Sequence, residues 1–144
     1  MIWKLALILF AIVGISHLIV GIVYVTANEL MPYHAQALNV DCNSIDENYK
    51  TLFLALIRLA GAGGLVAGLV NLTLVNYLYH RVESRLIWLL IVSSFIFHFV
   101  TNYLVYYVVT NTPGDPPLLM VSTGSVIFII ATIFLFAGMR GKHA

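Results

Sequence analysis

Two histidines, His17 and His98, come closest in this 144-residue chain to a chemical constellation. Each lies twelve positions into a long apolar run, counted from Leu5 and from Leu86. At 1.5 Å per helical residue both sit about 18 Å along their helices, at one depth. Facing imidazoles at one level of a helical bundle are what axial ligation of a b-type haem needs. The competing reading is structural, since Ser94 and Asn102 lie one turn from His98 and can hydrogen-bond it; on that reading there is no metal site and the histidines are only weak ligand candidates. Arg58 is the charged residue set inside an apolar run. A charge in hydrocarbon costs from about 2.5 kcal/mol upward, so Arg58 snorkels to water, pairs with Glu29 at the end of the first run, or faces an anionic ligand. Asn71 and Asn102 complete the polar interior candidates.

The elements that must position these residues follow from composition. Hydrophobic residues make up 61% of the chain and charged residues 9%, with mean hydropathy +0.98. Soluble domains carry about 25% charged residues, so this chain cannot cover a globular surface and belongs in a bilayer. A hydrocarbon core of about 30 Å takes roughly 20 helical residues. Four apolar segments meet that length, and they predict an all-α fold: one domain, an integral membrane four-helix antiparallel bundle. Its helices cover about 5–26, 45–79, 86–109 and 116–139, with a loop over 27–44. No length remains for a soluble catalytic or nucleotide-binding domain. A net charge of +1 gives no basic excess for nucleic acid. Cys42 is the only cysteine, which excludes an intrachain disulfide or CxxC redox pair; with His34 in an acidic loop it has no recognised metal spacing.

Basic residues favour the cytoplasmic side of short loops. Lys4, Arg81, Arg85, Arg140 and Lys142 all fall on one side, whereas Glu29, Asp41, Asp46, Glu47 and Asp115 fall on the other. Both termini are therefore expected in the cytoplasm. Ser44 and Glu47 fit a capping box for the second helix. Asp115 followed by Pro116 reads as the start of the fourth, and the Met31–Leu38 stretch suggests a short interfacial helix beginning at Pro32. Tyrosines and the tryptophans Trp3 and Trp88 fall near helix ends, as interfacial anchors do. Each helix carries a small or polar stripe: Gly14, His17, Gly21 and Tyr24; Gly61, Gly64, Gly68 and Asn71; Ser94, His98, Thr101 and Asn102; Ser122, Ser125 and Thr132. Small residues let helices approach closely in lipid, and the glycine face serves equally as an internal seam or a dimer contact.

The run Arg58-Leu59-Ala60-Gly61, followed by small residues and then Gly68-Leu69, resembles the second helix of small DoxX-like four-helix membrane proteins. That resemblance implies a four-helix antiparallel bundle in a prokaryotic inner membrane, with Arg58, Gly61 and Gly68 as packing positions. It also implies kinship with proteins of which some associate with quinone-linked or thiol-oxidising complexes. The expected function is that of a non-enzymatic accessory or interaction subunit, embedded in lipid as a homodimer or within a larger complex. The alternatives are a redox protein holding haem b or quinone in the bundle, and a dimeric small-molecule transporter or channel lined by Arg58, His17 and His98. Proton-coupled multidrug export is disfavoured, because no span carries Asp or Glu at its middle.

Overall fold

The computed structural model describes residues 1–41 and 44–140; Cys42, Lys142 and the side chain of Arg140 lie outside the described residues. The described chain is helical throughout its regular structure: α1 (Ile2–Val25), α2 (Pro32–Leu38), α3 (Glu47–His80), α4 (Ser84–Asn111) and α5 (Leu118–Arg140). α1, α3, α4 and α5 are each long and apolar enough to cross a membrane, and the chain is an integral membrane helical protein. α3 has 34 residues and α4 has 28. They measure about 51 Å and 42 Å, well beyond the roughly 30 Å of hydrocarbon.

Several boundaries differ from those read from the sequence, each for a local reason. The cap of α3 is Asp46, whose side chain accepts from the Asn48 amide at 2.9 Å. Ser44 does not form the expected capping box; its hydroxyl donates to Asp41 O at 2.8 Å instead. The last helix begins at Leu118, two residues after Pro116. A residue preceding proline is pushed out of the helical region, and Pro116 precedes Pro117, so the helix starts only beyond the pair. α2 begins at Pro32 and is capped after Leu38 by Asn39, which takes the left-handed conformation at φ 54° that asparagine tolerates.

α1 is the hub. It packs most extensively on α3 and next on α5, while α4 touches α3 and α5. α1 and α4 therefore face each other diagonally across the bundle. The seam between α1 and α3 is made by glycine: a Cβ placed on Gly61 would lie 2.7 Å from the Val25 amide nitrogen, and one on Gly21 would lie 2.7 Å from the Leu65 nitrogen. Gly138 brings α5 nearly as close to Trp3, with a Cβ there 2.9 Å from the Trp3 backbone. Trp3 is thereby buried, so it packs the seam rather than anchoring at an interface.

The apolar core is concentrated toward the end that carries the chain termini. Ala6, Leu7, Phe10 and Val13 of α1 meet Leu74 and Leu78 of α3, Ile87 and Leu90 of α4, and Ala131 and Leu135 of α5. At the other end, the cap end, Gly114 of the α4–α5 loop packs against Tyr33 and Ala37 of α2. None of residues 47–60, 99–111 or 118–127 is buried.

Candidate functional site

The polar layer lies where the apolar core gives out. Among the described residues, His17, Asn71, Ser94 and His98 are the buried polar ones, at 5%, 2%, 3% and 7% exposure. The two imidazoles meet across the diagonal with ring centroids 5.1 Å apart and planes tilted by 51°. Glycine makes this contact possible, since Gly64 lets α3 lie against the His17 carbonyl and Gly124 of α5 faces the His98 ring. Phe97 packs on His17 at 4.1 Å, and Phe128 stacks on His98 at 5.3 Å.

Hydrogen bonds tie part of this layer together. Asn102 donates to Ser125 Oγ at 2.6 Å and to the His98 carbonyl at 2.7 Å, and Ser125 Oγ lies 3.2 Å from His98 Nδ1. One turn toward the termini, the Asn71 amide donates to Ser94 Oγ at 3.1 Å. Four buried atoms have no protein partner among the described residues: both ring nitrogens of His17, Nε2 of His98 and Oδ1 of Asn71. Buried polar atoms are nearly always partnered, so these four orphans mark the layer as the candidate site.

The sequence candidates divide into two groups. His17, His98, Asn71 and Asn102 come together in this layer. Gly61, Gly64 and Gly68 pack internally on α1, which settles their face as a seam within the chain. Arg58 and Glu29 stand apart from the layer and do not pair with each other, which removes one of the three readings open for Arg58. The Arg58 guanidinium donates to the Ala27 carbonyl at 3.2 and 3.0 Å and to Asn28 Oδ1 at 3.5 Å. Ala27 and Asn28 lie just beyond the end of α1, so a loop carbonyl and an amide oxygen take the cation in place of the carboxylate. The one ion pair among the described residues is Lys50 with Glu47, at 3.9 Å. Ser94 and Ser125 are the site residues that a candidate list built on His, Asn and Arg leaves out; their signal was their place on the polar stripes of α4 and α5.

Haem does not fit the histidine pair. Axial imidazoles stand on opposite faces of a macrocycle, and bonds of about 2.0 Å to the iron set their centroids more than 6 Å apart. The observed 5.1 Å is a direct ring contact, with Phe97 and Phe128 closing the flanks. A quinone ring meets the same obstruction between the histidines. The apolar groove of about 260 Å³ bounded by Ile91, Phe95, Phe128 and Ile133 opens between α4 and α5, and its lining is wholly apolar apart from Thr132.

A second polar centre is the cap. Tyr24 at the end of α1 and Tyr33 of α2 share a 2.6 Å hydroxyl hydrogen bond. Burial, together with that bond and the neighbouring Tyr24, raises the Tyr33 phenol above its ordinary range. His34 Nδ1 accepts the Met31 amide at 3.2 Å, and burial lowers its pKa below the ordinary imidazole value. Tyr24 is thus a tether of the cap as well as an end-of-helix aromatic. Comparison of the chain with protein-family models, curated proteins and solved structures finds no match.

Proposed function

We propose that this protein is a non-enzymatic accessory subunit of a prokaryotic inner-membrane assembly, with its four long helices antiparallel and both termini in the cytoplasm. The distribution of basic side chains and the reversed order of contacts between α1 and α3, Gly21 with Gly61 and Gly14 with Leu72, support that arrangement. The observation that carries the function is the unevenness of burial. Residues 47–60 of α3, 99–111 of α4 and 118–127 of α5 include no residue buried within their own chain, and α3 and α4 are longer than a bilayer requires. α4 there presents Phe99, Tyr103, Tyr106 and Tyr107, all exposed. Aromatic side chains dominate protein interfaces because they bury large areas at small entropic cost. The histidine layer, by contrast, is filled by rings, and no acid–base or nucleophile pair stands in an accessible cleft among the described residues.

Site-specific photocrosslinking in native membranes tests this reading. A benzophenone amino acid replacing Phe99 or Tyr103 should give a discrete adduct, at twice the monomer mass for a homodimer and at another mass for a larger complex. The same probe at Ile19, an exposed position of α1 beside the glycine seam, should give monomer alone. Monomer alone at all three positions overturns the proposal.

A further inference from the structure

We propose that the groove between α4 and α5 seats one acyl chain of an anionic phospholipid, drawn from the leaflet on the side of the chain termini, with Arg85 holding the phosphate. The inference is independent of the subunit role, which rests on the cap-end surface of α4. The floor of the groove is recessed: Ile91 is 9% and Phe128 6% exposed, whereas Val92, Phe95, Ile129 and Ile133 rise around it as exposed walls. Thr132 brings the one hydroxyl of the lining, and it donates to the Phe128 carbonyl of its own helix at 2.9 Å. The lining therefore offers no free donor to a polar ligand.

Size selects a chain over a helix. The lining runs from Ile91 to Phe95 on α4 and from Phe128 to Ile133 on α5, a rise of no more than about 7.5 Å. A volume of about 260 Å³ over that length leaves a cross-section of about 35 Å². A helix about 10 Å across fills about 80 Å², so a partner helix does not enter. One hydrocarbon chain about 4 Å thick does.

Charge sets which way the lipid points. Arg85, Trp88, Val92 and Phe95 recur at three- and four-residue spacing, so one face of α4 leads from the groove to Arg85. Trp88 packs on Phe136 of α5 with centroids 5.7 Å apart, continuing the α4–α5 seam toward the termini. Arg85 lies six residues before Ile91, about 9 Å along the helix, and headgroups occupy about 5–8 Å beyond the hydrocarbon on each side. A phosphate at Arg85 therefore puts the first methylenes of its chain at the mouth of the groove. Arg85 is exposed and has neither hydrogen bond nor ion pair among the described residues; Glu83, two residues away, accepts from Tyr77 at 3.4 Å. Arg85 is the only Lys, Arg, Asp or Glu of α4, and α5 carries none before Arg140. The surface is thus cationic at the termini end and apolar along its length, the complement of an anionic amphiphile. A guanidinium meets phosphate oxygens through two parallel N–H donors.

Lipid tails are as apolar as the lining, so the chain gains no hydrophobic drive and selectivity comes from the head. One Arg near the surface gives about a fivefold preference for an anionic over a zwitterionic lipid. Quenching of Trp88 tests the site. The Trp3→Phe protein, whose only indole is Trp88, is reconstituted in mixed phosphatidylglycerol–phosphatidylcholine vesicles in which one lipid at a time carries brominated chains, which quench an indole on contact. Brominated phosphatidylglycerol should outcompete brominated phosphatidylcholine at Trp88 by about fivefold. Arg85→Gln should bring the two lipids level, and Ile129→Phe, which places a ring in the groove, should lower the preference too. Arg58→Gln, at the cap end, should leave it unchanged. Native mass spectrometry reads the same site without Trp3→Phe: phosphatidylglycerol should stay on the parent chain and be lost from Arg85→Gln. Equal quenching by the two lipids in the parent, a preference that survives Arg85→Gln, or one unmoved by Ile129→Phe each overturns the proposal. So does a Trp88 that neither lipid quenches, which means that a second copy or another protein covers the groove.

Discussion

The glycine seam permits a sharp comparison, because the same substitution made two residues apart on α3 should have opposite effects. Gly61→Ala places a methyl carbon 2.7 Å from both Tyr24 Cβ and the Val25 amide nitrogen, and 2.9 Å from the Gly21 carbonyl oxygen. Ordinary contact starts at 3.4 Å, so α1 and α3 must part by 3.4 minus 2.7, about 0.7 Å. A gap of that size forfeits about a quarter to a half of each dispersion contact along the seam. Backbone atoms cannot swing aside as a side chain would, so the penalty is that of overpacking, about 1–3 kcal/mol. Gly63→Ala meets nothing within 4 Å. Both variants gain the same helix propensity, which cancels in their difference. Gly63→Ala should therefore be more stable than Gly61→Ala by about 1–3 kcal/mol. Gly64→Ala, 3.3 Å from Gly21 Cα and the His17 carbonyl, should fall between them. Reversible unfolding in mixed micelles, followed by far-ultraviolet circular dichroism with oligomeric state measured in parallel, reads the series. Equal stability of Gly61→Ala and Gly63→Ala refutes the seam, as does a Gly61→Ala variant that changes assembly while the monomer keeps its stability.

Protonation of His34 should loosen the cap. Its pKa is lowered by burial, so its contribution is fully present above the ordinary value of 6.5 and is lost as pH falls through the folded value. Hydrogen exchange over residues 31–38 should accelerate between pH 7.5 and pH 5 in the parent but not in His34→Ala; pH-independent exchange in the parent refutes it. Arg58→Ala should destabilise by about 1 kcal/mol through its lost bonds to Ala27 and Asn28. Because no pair with Glu29 exists, adding Glu29→Ala should be additive within about 0.5 kcal/mol; strong coupling in that cycle contradicts the geometry. Asn102→Ala and Ser125→Ala should each cost about 0.6 kcal/mol, as intramembrane hydrogen bonds do. Their double variant should cost less than the sum, and strict additivity means the 2.6 Å bond carries no energy.

The histidine layer shows where sequence reasoning holds and where it stops. The equal depth of His17 and His98 follows from counting along two helices, and the rings do meet. Counting does not give the separation across the bundle. That depends on Gly64 and Gly124, which decide how closely α3 and α5 approach. The distance in turn separates ring contact from a haem slot, two outcomes that glycines flanking a histidine fit equally well. Arg58 teaches the same lesson at the cap. Its nearness to the end of the first helix is legible, but the choice between a carboxylate and a carbonyl depends on how the chain turns after Val25, where Ala27 O offers a fixed acceptor beside the guanidinium.

What the sequence determined by itself is therefore what depends on one dimension. Apolar run length sets the four long helices, because backbone groups in hydrocarbon must be satisfied within their own segment. The helical repeat sets which polar and small residues share a face, and each stripe reads directly from residue spacing. Tertiary structure alone decided what the stripes face. It turned Gly61, Gly64 and Gly68 toward α1, and it set α1 diagonal to α4, so that His17 and His98 meet through their side chains. It also left residues 47–60 of α3, 99–111 of α4 and 118–127 of α5 without buried residues. The reason is that lipid is as apolar as the side chains it surrounds. Hydropathy therefore does not distinguish a surface facing lipid from one facing another helix, and close packing between backbones, which is a property of two helices at once, makes the choice.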